Sequence, residues 1–331
     1  MEIRTLTEGQ YSSMLAVTHA SIRAELAAEI RRLAKEKNAV ILAHNYQIPD
    51  VQEIADHVGD SLGLSIDAQC TDAQLIVFCG VHFMAESAKI LNPAKKVLLP
   101  NLAAGCSLAD SITAESLEEW KARYPGHAVV TYVNSTAEVK ALSDICCTSA
   151  NAVSVVRSLD TDKILFTPDR NLGRWVAEQV PEKKIVIYDG CCPIHDVLRG
   201  ANVTKVGCMS PGSVLIAHPE CREDIVRMAD AVCSTTGMLS IVDKFPDAHT
   251  FIIATENGII HQLRKRHPDR EFILADGCIG CRLNCPYMKC IALEDVERSL
   301  REEVFEVDVD PAVMAGARRS LERMLAVPRD N

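Results

Sequence analysis

Residues 40–63 read VILAHNYQIPDVQEIADHVGDSLG: an apolar run, a polar turn, an amphipathic stretch and then a hydroxyl followed by glycine. Two later stretches share this plan, AVVTYVNSTAEVKALSDICCTSAN at 128–151 and VLIAHPECREDIVRMADAVCSTTG at 214–237. They align without gaps on Ser61, Ser149 and Thr235, which stand 88 and 86 residues apart. Five residues before these anchors come Asp56, Asp144 and Asp230, and eleven before come Asp50, Glu138 and Asp224. The apolar pairs Val51/Ile54, Val139/Leu142 and Ile225/Met228 also share offsets, and Gly63, Asn151 and Gly237 follow each anchor by two, suiting a tight turn. Strands of similar spacing recur by chance in α/β chains. An aspartate and a hydroxyl at fixed offsets do not, so the chain reads as a unit present three times.

Outward from these stretches the strand signals continue with LIVF (75–78), KILF (163–166) and TFII (250–253), then VLLP (97–100), KIVIY (184–188) and EFILA (271–275). Helical patterns fill the intervals. Apolar strands alternating with helices predict a parallel sheet covered on both faces. The fold class expected is therefore α/β: three similar three-layer α/β/α units with parallel sheets arranged about a pseudo-threefold axis. Their expected bounds are 1–110, 111–197 and 198–287, with the tail 288–331 packing back on the first unit. Residues 21–38 read as an amphipathic helix, and helical connections fall near 110–126 and 199–212, ending in Tyr-Pro-Gly and Ser-Pro-Gly.

A chain of 331 residues is long for one core, which agrees with several units. No N-terminal apolar run fits a signal peptide and no segment fits a membrane span, so a soluble cytoplasmic protein is expected, with no membrane partner. In that reducing compartment the fourteen cysteines would serve metals, catalysis or cores rather than disulfides. The formal charge of −10 argues against nucleic acid as a partner.

Ligands of parallel α/β sheets bind beyond the carboxyl ends of the strands. At seventeen residues before each anchor stand His44, Tyr132 and His218, and at fifteen before stand Tyr46, Asn134 and Glu220. Alternation at a strand end points both members of a pair the same way, so three units about one axis would bring six polar groups together. Ser61, Ser149 and Thr235 stand where a helix would begin, a place that caps the helix or binds an anion. Three such ends suit a ligand with two or three carboxylates or phosphates. Residues 80–86 read as a loop over the site, and His82, His195 and His261 as surface or packing residues.

Cysteine follows the last strand of each unit: Cys106, the pair Cys191 and Cys192, and then the stretch DGCIGCRLNCPYM at 276–288. There Cys278, Cys281 and Cys285 are spaced C-x2-C-x3-C, with Pro286 after the last, and Cys290 is a possible fourth ligand. This density points to an iron–sulfur or a zinc site, and the local sequence does not choose between them. One thiolate per unit would instead make a shared cluster with one iron open, a Lewis acid for a substrate hydroxyl.

The chain resembles the quinolinate synthase family, the iron–sulfur enzymes of bacterial NAD biosynthesis. The motifs that carry the resemblance include AHNYQ (43–47), GDSL (59–62), CGVHFMAE (79–86), LPNLAAGCSLAD (99–110), TYVNSTAEVKA (131–141), CTSAN (147–151), TPDRNLG (167–173), GCCPIH (190–195), AHPEC (217–221), STTGM (234–238) and CPYM (285–288). The resemblance implies a transferase that condenses iminoaspartate with dihydroxyacetone phosphate to quinolinate, releasing phosphate and two waters. It implies a 4Fe-4S cluster with three cysteine ligands and one open iron, and a functional link to an L-aspartate oxidase or dehydrogenase. By motif the ligands are Cys106, Cys192 and Cys285. The substrate-contacting positions are His44, Tyr46, Ser61, Tyr132, Asn134, Ser149, His218, Glu220 and Thr235, among which Tyr46, His218 and Glu220 would move protons. The repeat alone favours Cys278, which like Cys192 lies 43 residues after its anchor. The extra Asn284 before Cys285 departs from the C-x2-C-x2-C spacing of many relatives and leaves Cys278 and Cys281 without a carried-over role. Two other readings are a different cluster-dependent hydro-lyase and a non-enzymatic protein with zinc on Cys278, Cys281, Cys285 and Cys290.

Overall fold

The computed structural model describes residues 8–277 and 282–330, with side chains from residue 20 onward. Among the described residues twelve strands form three four-stranded sheets, all parallel. The first holds β1 (Ala39–His44), β2 (His57–Gly59), β3 (Leu75–Cys79) and β4 (Lys96–Leu98). The second holds β5 (Ala128–Tyr132), β6 (Ile145–Cys147), β7 (Lys163–Thr167) and β8 (Lys184–Ile187). The third holds β9 (Val214–Ala217), β10 (Ala231–Val232), β11 (Thr250–Ala254) and β12 (Glu271–Leu274). The spatial order is second, first, third, fourth strand in every sheet, so the three expected α/β units are present with one topology. Burial of β3 along its whole length reflects helices on both faces.

The repeated aspartates have a structural task. Asp56, Asp144 and Asp230 accept from the amides of Ile41, Val129 and Leu215 at 2.8 Å, while their own amides donate to the carbonyls of the same three residues. Each aspartate thus joins the start of its unit's first strand to the turn before the second. Replacing Asp144 by alanine leaves a strand amide without its acceptor and should cost about 1–3 kcal/mol. A lowered midpoint of chemical denaturation, with m unchanged, is the expected result. Two residues before Val40, Ala128 and Val214 stand Asn38, Gly126 and Gly212, with φ of 47°, 76° and 79°. These are the left-handed turns that let a helix run into its strand, a conformation that glycine and asparagine tolerate best.

The helix read at 21–38 extends over Glu8–Glu36. Of residues 80–86, read as a loop, Gly80 and Val81 precede the helix His82–Leu91 and residues 82–86 instead form its first turns. In the tail, the helix Leu293–Glu302 lies on Glu8–Glu36 and β3, and Val307 and Leu99 exchange backbone hydrogen bonds with Val97 and Phe305, covering the outer edge of β4. The final helix, Pro311–Leu325, then crosses to β6 and the helix Ala137–Ala141 of the second sheet, where Ser320 donates to the Lys140 carbonyl at 2.8 Å. Beyond it Asp330 accepts from the amides of Val153 and Ser154, and Arg329 forms a two-pronged ion pair with Asp60. The tail therefore reaches elements of both the first and second sheets. Among the described residues no helix is long and apolar enough to cross a membrane.

Candidate functional site

Side chains from all three sheets line one small inner cavity of about 70 Å³. His44 and Tyr46 enter from the carboxyl end of β1, Tyr132 and Asn134 from that of β5, and His218 and Glu220 from that of β9. Ser61, Ser149 and Thr235 line it too, and so do Cys106, Cys192 and Cys285. These twelve residues, read from the sequence, therefore stand together at one cavity. Cys290 is not among its lining residues, and Cys278 and Cys281 lie outside the described residues. A larger open groove near Phe272 and Lys289 borders the same undescribed segment and carries no comparable set of polar groups.

The anchors are free to face the cavity because capping falls to their neighbours. Asp60 accepts from the Gly63 amide and Ser234 from the Gly237 amide, so Gly63 and Gly237 sit in first helical turns rather than tight turns. In the second unit Asn151 is the cap residue, and Ser149 stands ahead of the helix Ala152–Arg157. The expectation of three equivalent helix ends is therefore corrected: only Ser61 and Thr235 begin a helix. Thr235 accepts from Asn45 at 2.9 Å, and Ser149 lies 3.1 Å from His218 Nε2.

His44 and His218 repeat one geometry, in which Nδ1 accepts the amide of the residue two further on, Tyr46 or Glu220. That assigns the ring proton to Nε2 and leaves each ring neutral. Burial acts the same way, pushing His44 down to about 4 and His218 down to about 3. His218 is thereby a hydrogen-bond donor to Ser149. Asn134 presents a buried Oδ1 with no partner, as a ligand-facing group does.

Glu220 is the hub. It is 3% exposed, accepts from Tyr132 Oη and lies 2.8 Å from His195 Nδ1. Burial works against its charge, but His195, His218 and Tyr132 together hold its carboxyl down to about 2. For His195, burial is outweighed by the Glu220 charge and the imidazole is raised. His195 Nε2 is 2.8 Å from Thr255 Oγ1, which is 2.5 Å from Tyr46 Oη. An unbroken chain Tyr46–Thr255–His195–Glu220–Tyr132 results. Burial raises both tyrosines well above their ordinary value, so each enters as a neutral hydroxyl.

His195 is thus a correction: it is buried and central, not a surface or packing residue. Its signal in the sequence was the spacing of three after Cys192. Thr255 had almost none, since its offset of twenty after Thr235 holds Val81 and Asp169 in the other units.

The three cavity cysteines are unpaired, as are all the described cysteines. Burial raises each thiol, Cys106 to about 12, and the Cys285 sulfur adds to the shift of Cys106 and the Cys106 sulfur to that of Cys192. Against this, amides of Leu108 and Ala109 bear on Cys106, His195 on Cys192, and Tyr287 and Met288 on Cys285. Cys192, His195 and Glu220 also lie close enough to hold a single ion, but His195 Nδ1 already bridges the other two, 3.2 Å from the Cys192 sulfur. Three free thiols in one cavity, each met by amide donors, suit a thiolate-held iron–sulfur centre.

Fold and cavity together are those of a small-molecule α/β enzyme whose site carries a triad of thiols. A family model described as quinolinate synthetase A protein matches residues 28–326. The chain is 54% identical over 306 residues to a quinolinate synthase of Geotalea uraniireducens (strain Rf4), covering 92% of this chain and 99% of the relative. It is 54% identical over 302 residues to one of Geobacter metallireducens, covering 91% and 97%, and 48% identical over 305 residues to one of Synechocystis, covering 92% and 95%. The chain belongs to the quinolinate synthetase A family.

Proposed function

We propose that this chain is a quinolinate synthase, a transferase that joins iminoaspartate to dihydroxyacetone phosphate and releases phosphate and two waters. The observation that carries this is the single cavity in which two polar pairs with a third, three hydroxyl anchors and three thiols meet. In this reading the units 1–110, 111–197 and 198–287 surround a pseudo-threefold axis, the protein works in the cytoplasm, and an L-aspartate oxidase or dehydrogenase supplies the imine.

Cys106, Cys192 and Cys285 would hold a 4Fe-4S cluster, and when bound it supplies an open iron that acts as a Lewis acid toward a substrate hydroxyl. Ser61, Ser149, Thr235 and the Asn134 Nδ2–H bind carboxylate and phosphate oxygens, while the unpartnered Asn134 Oδ1 accepts from a substrate hydroxyl. The His44 Nε2–H adds a neutral donor, and the His218 Nε2–H occupies a lone pair of the Ser149 hydroxyl so that its proton points to the ligand. Tyr46 gives or takes the proton at the reacting carbon. When Tyr46 gives up its proton, the His195 imidazolium kept by Glu220 replaces it through Thr255, and the same relay runs back when Tyr46 takes one. Tyr132 holds the second lone-pair side of Glu220 and fixes its orientation. Burial of the whole chain of groups keeps bulk water from intercepting these transfers.

The test is direct. Protein purified without oxygen and given iminoaspartate and dihydroxyacetone phosphate should form quinolinate and phosphate in equal amounts. Dehydration of a small hydroxy acid without condensation would instead support another cluster-dependent hydro-lyase. A colourless protein with one zinc would sink both.

A further inference from the structure

Glu256 lines the cavity but takes no part in the proton chain, and it is 1% exposed. Its Oε1 accepts from the Cys285 amide at 3.1 Å and lies 2.8 Å from Lys289 Nζ, while Oε2 accepts from the Gly258 amide at 2.7 Å. Lys289 donates in addition to the Tyr46 carbonyl. A Cβ at position 258 would come within 2.6 Å of the Tyr46 backbone, so the Glu256 turn is seated directly beneath that tyrosine. The second unit holds half of the same device: Asp169, fully buried, accepts from the Cys192 amide at 3.0 Å and the Leu172 amide at 2.7 Å. Asp169 and Glu256 follow the third strand of their sheets, 20 and 21 residues after the anchors, where the first unit has Val81 and His82.

We propose that Glu256 and Lys289 are a positioning pair that fixes Cys285 and couples it to Tyr46, with Asp169 doing the first half of this for Cys192. The proposal rests on the reading of Cys285 as a cluster ligand. A carboxylate at a cysteine amide makes a charge-assisted hydrogen bond, which orders the ligand loop before any metal binds. The neighbouring ammonium cancels the carboxylate's charge beside the centre and ties the loop to the tyrosine that handles the substrate proton. Two signatures follow. Loss of the carboxylate loosens Cys285, and loss of either charge shifts the energy of adding an electron to the cluster, in opposite senses for the two residues.

The experiment uses the full chain, reconstituted with iron and sulfide under anaerobic conditions, as wild type, Glu256→Gln, Lys289→Met and Lys289→Arg. Iron content, the rate of iron release to a chelator and the midpoint potential from a spectroscopic redox titration are read. Glu256→Gln should release iron several-fold faster and move the potential upward. Lys289→Met should move it downward, and Lys289→Arg should stay near wild type. Lys289→Met gives the decisive sign should Glu256→Gln fail to fold. Potential shifts of the same sign in both variants, or wild-type potential and release in both, would overturn the pair while leaving the cluster reading intact. A wild-type chain that takes up no iron would overturn the cluster reading and the pair with it.

Discussion

Replacing Glu220 by glutamine is expected to lower turnover by about 100- to 10,000-fold, the span that a positioned acid–base group contributes, while a bound dicarboxylate loses less than about tenfold in affinity. The reason lies in what surrounds the side chain. Tyr132 Oη and His195 both donate to the carboxylate, one to each oxygen. An amide of the same shape has one acceptor and one donor, so one of these partners must meet an N–H. His195 also loses the Glu220 charge that works against its burial, so it holds its proton less firmly and is a poorer source of one for Tyr46 through Thr255. In the proposed function carboxylate binding falls to other groups, Ser61, Ser149, Thr235 and Asn134, and is largely spared. Measuring kcat beside the dissociation constant of a dicarboxylate inhibitor separates the two effects. Full activity in the variant would end the assignment.

The second large effect concerns Cys106. Its change to alanine should abolish the brown colour and bound iron of anaerobically prepared protein. Activity should fall by more than the roughly 10- to 100-fold that outer partners of a metal are worth, because a ligand itself is removed. The choice of Cys106 is deliberate. It belongs to the first unit, far in sequence from Cys278, Cys281, Cys285 and Cys290, and a zinc site built on those four would not need it. Its sulfur faces the same cavity as Cys192 and Cys285 and raises the Cys192 thiol. Metal analysis that finds unchanged metal in the Cys106 variant would therefore refute the shared centre and favour the local one.

The polar lining of the cavity was legible in the sequence because the unit occurs three times. A single His or Tyr at a strand end says little. Three pairs at one offset mark the carboxyl ends of three parallel strands, and alternation along a strand then sends both members of each pair inward. His44, Tyr46, Tyr132, Asn134, His218 and Glu220 were found this way, as were the three anchors. The same offsets misled in one respect. Hydroxyls at 61, 149 and 235 were read as equivalent helix starts, yet the caps fall on Asp60, Ser234 and Asn151 instead.

By itself, then, the sequence determined the elements that depend on local pattern: the three α/β units, their parallel strands, the polar strand ends and the recurring aspartates. Only the tertiary structure decided which of those groups touch. Tyr46 and Thr255 meet across 209 residues, His195 and Thr255 across 60, and Lys289 reaches Tyr46 across 243. Such contacts join separate sheets, so they follow from how the sheets are seated against one another rather than from any periodicity within one. That is why Thr255, Glu256 and Lys289 had no signal in the chain, and why His195, read as a packing residue, stands at the centre of its chemistry.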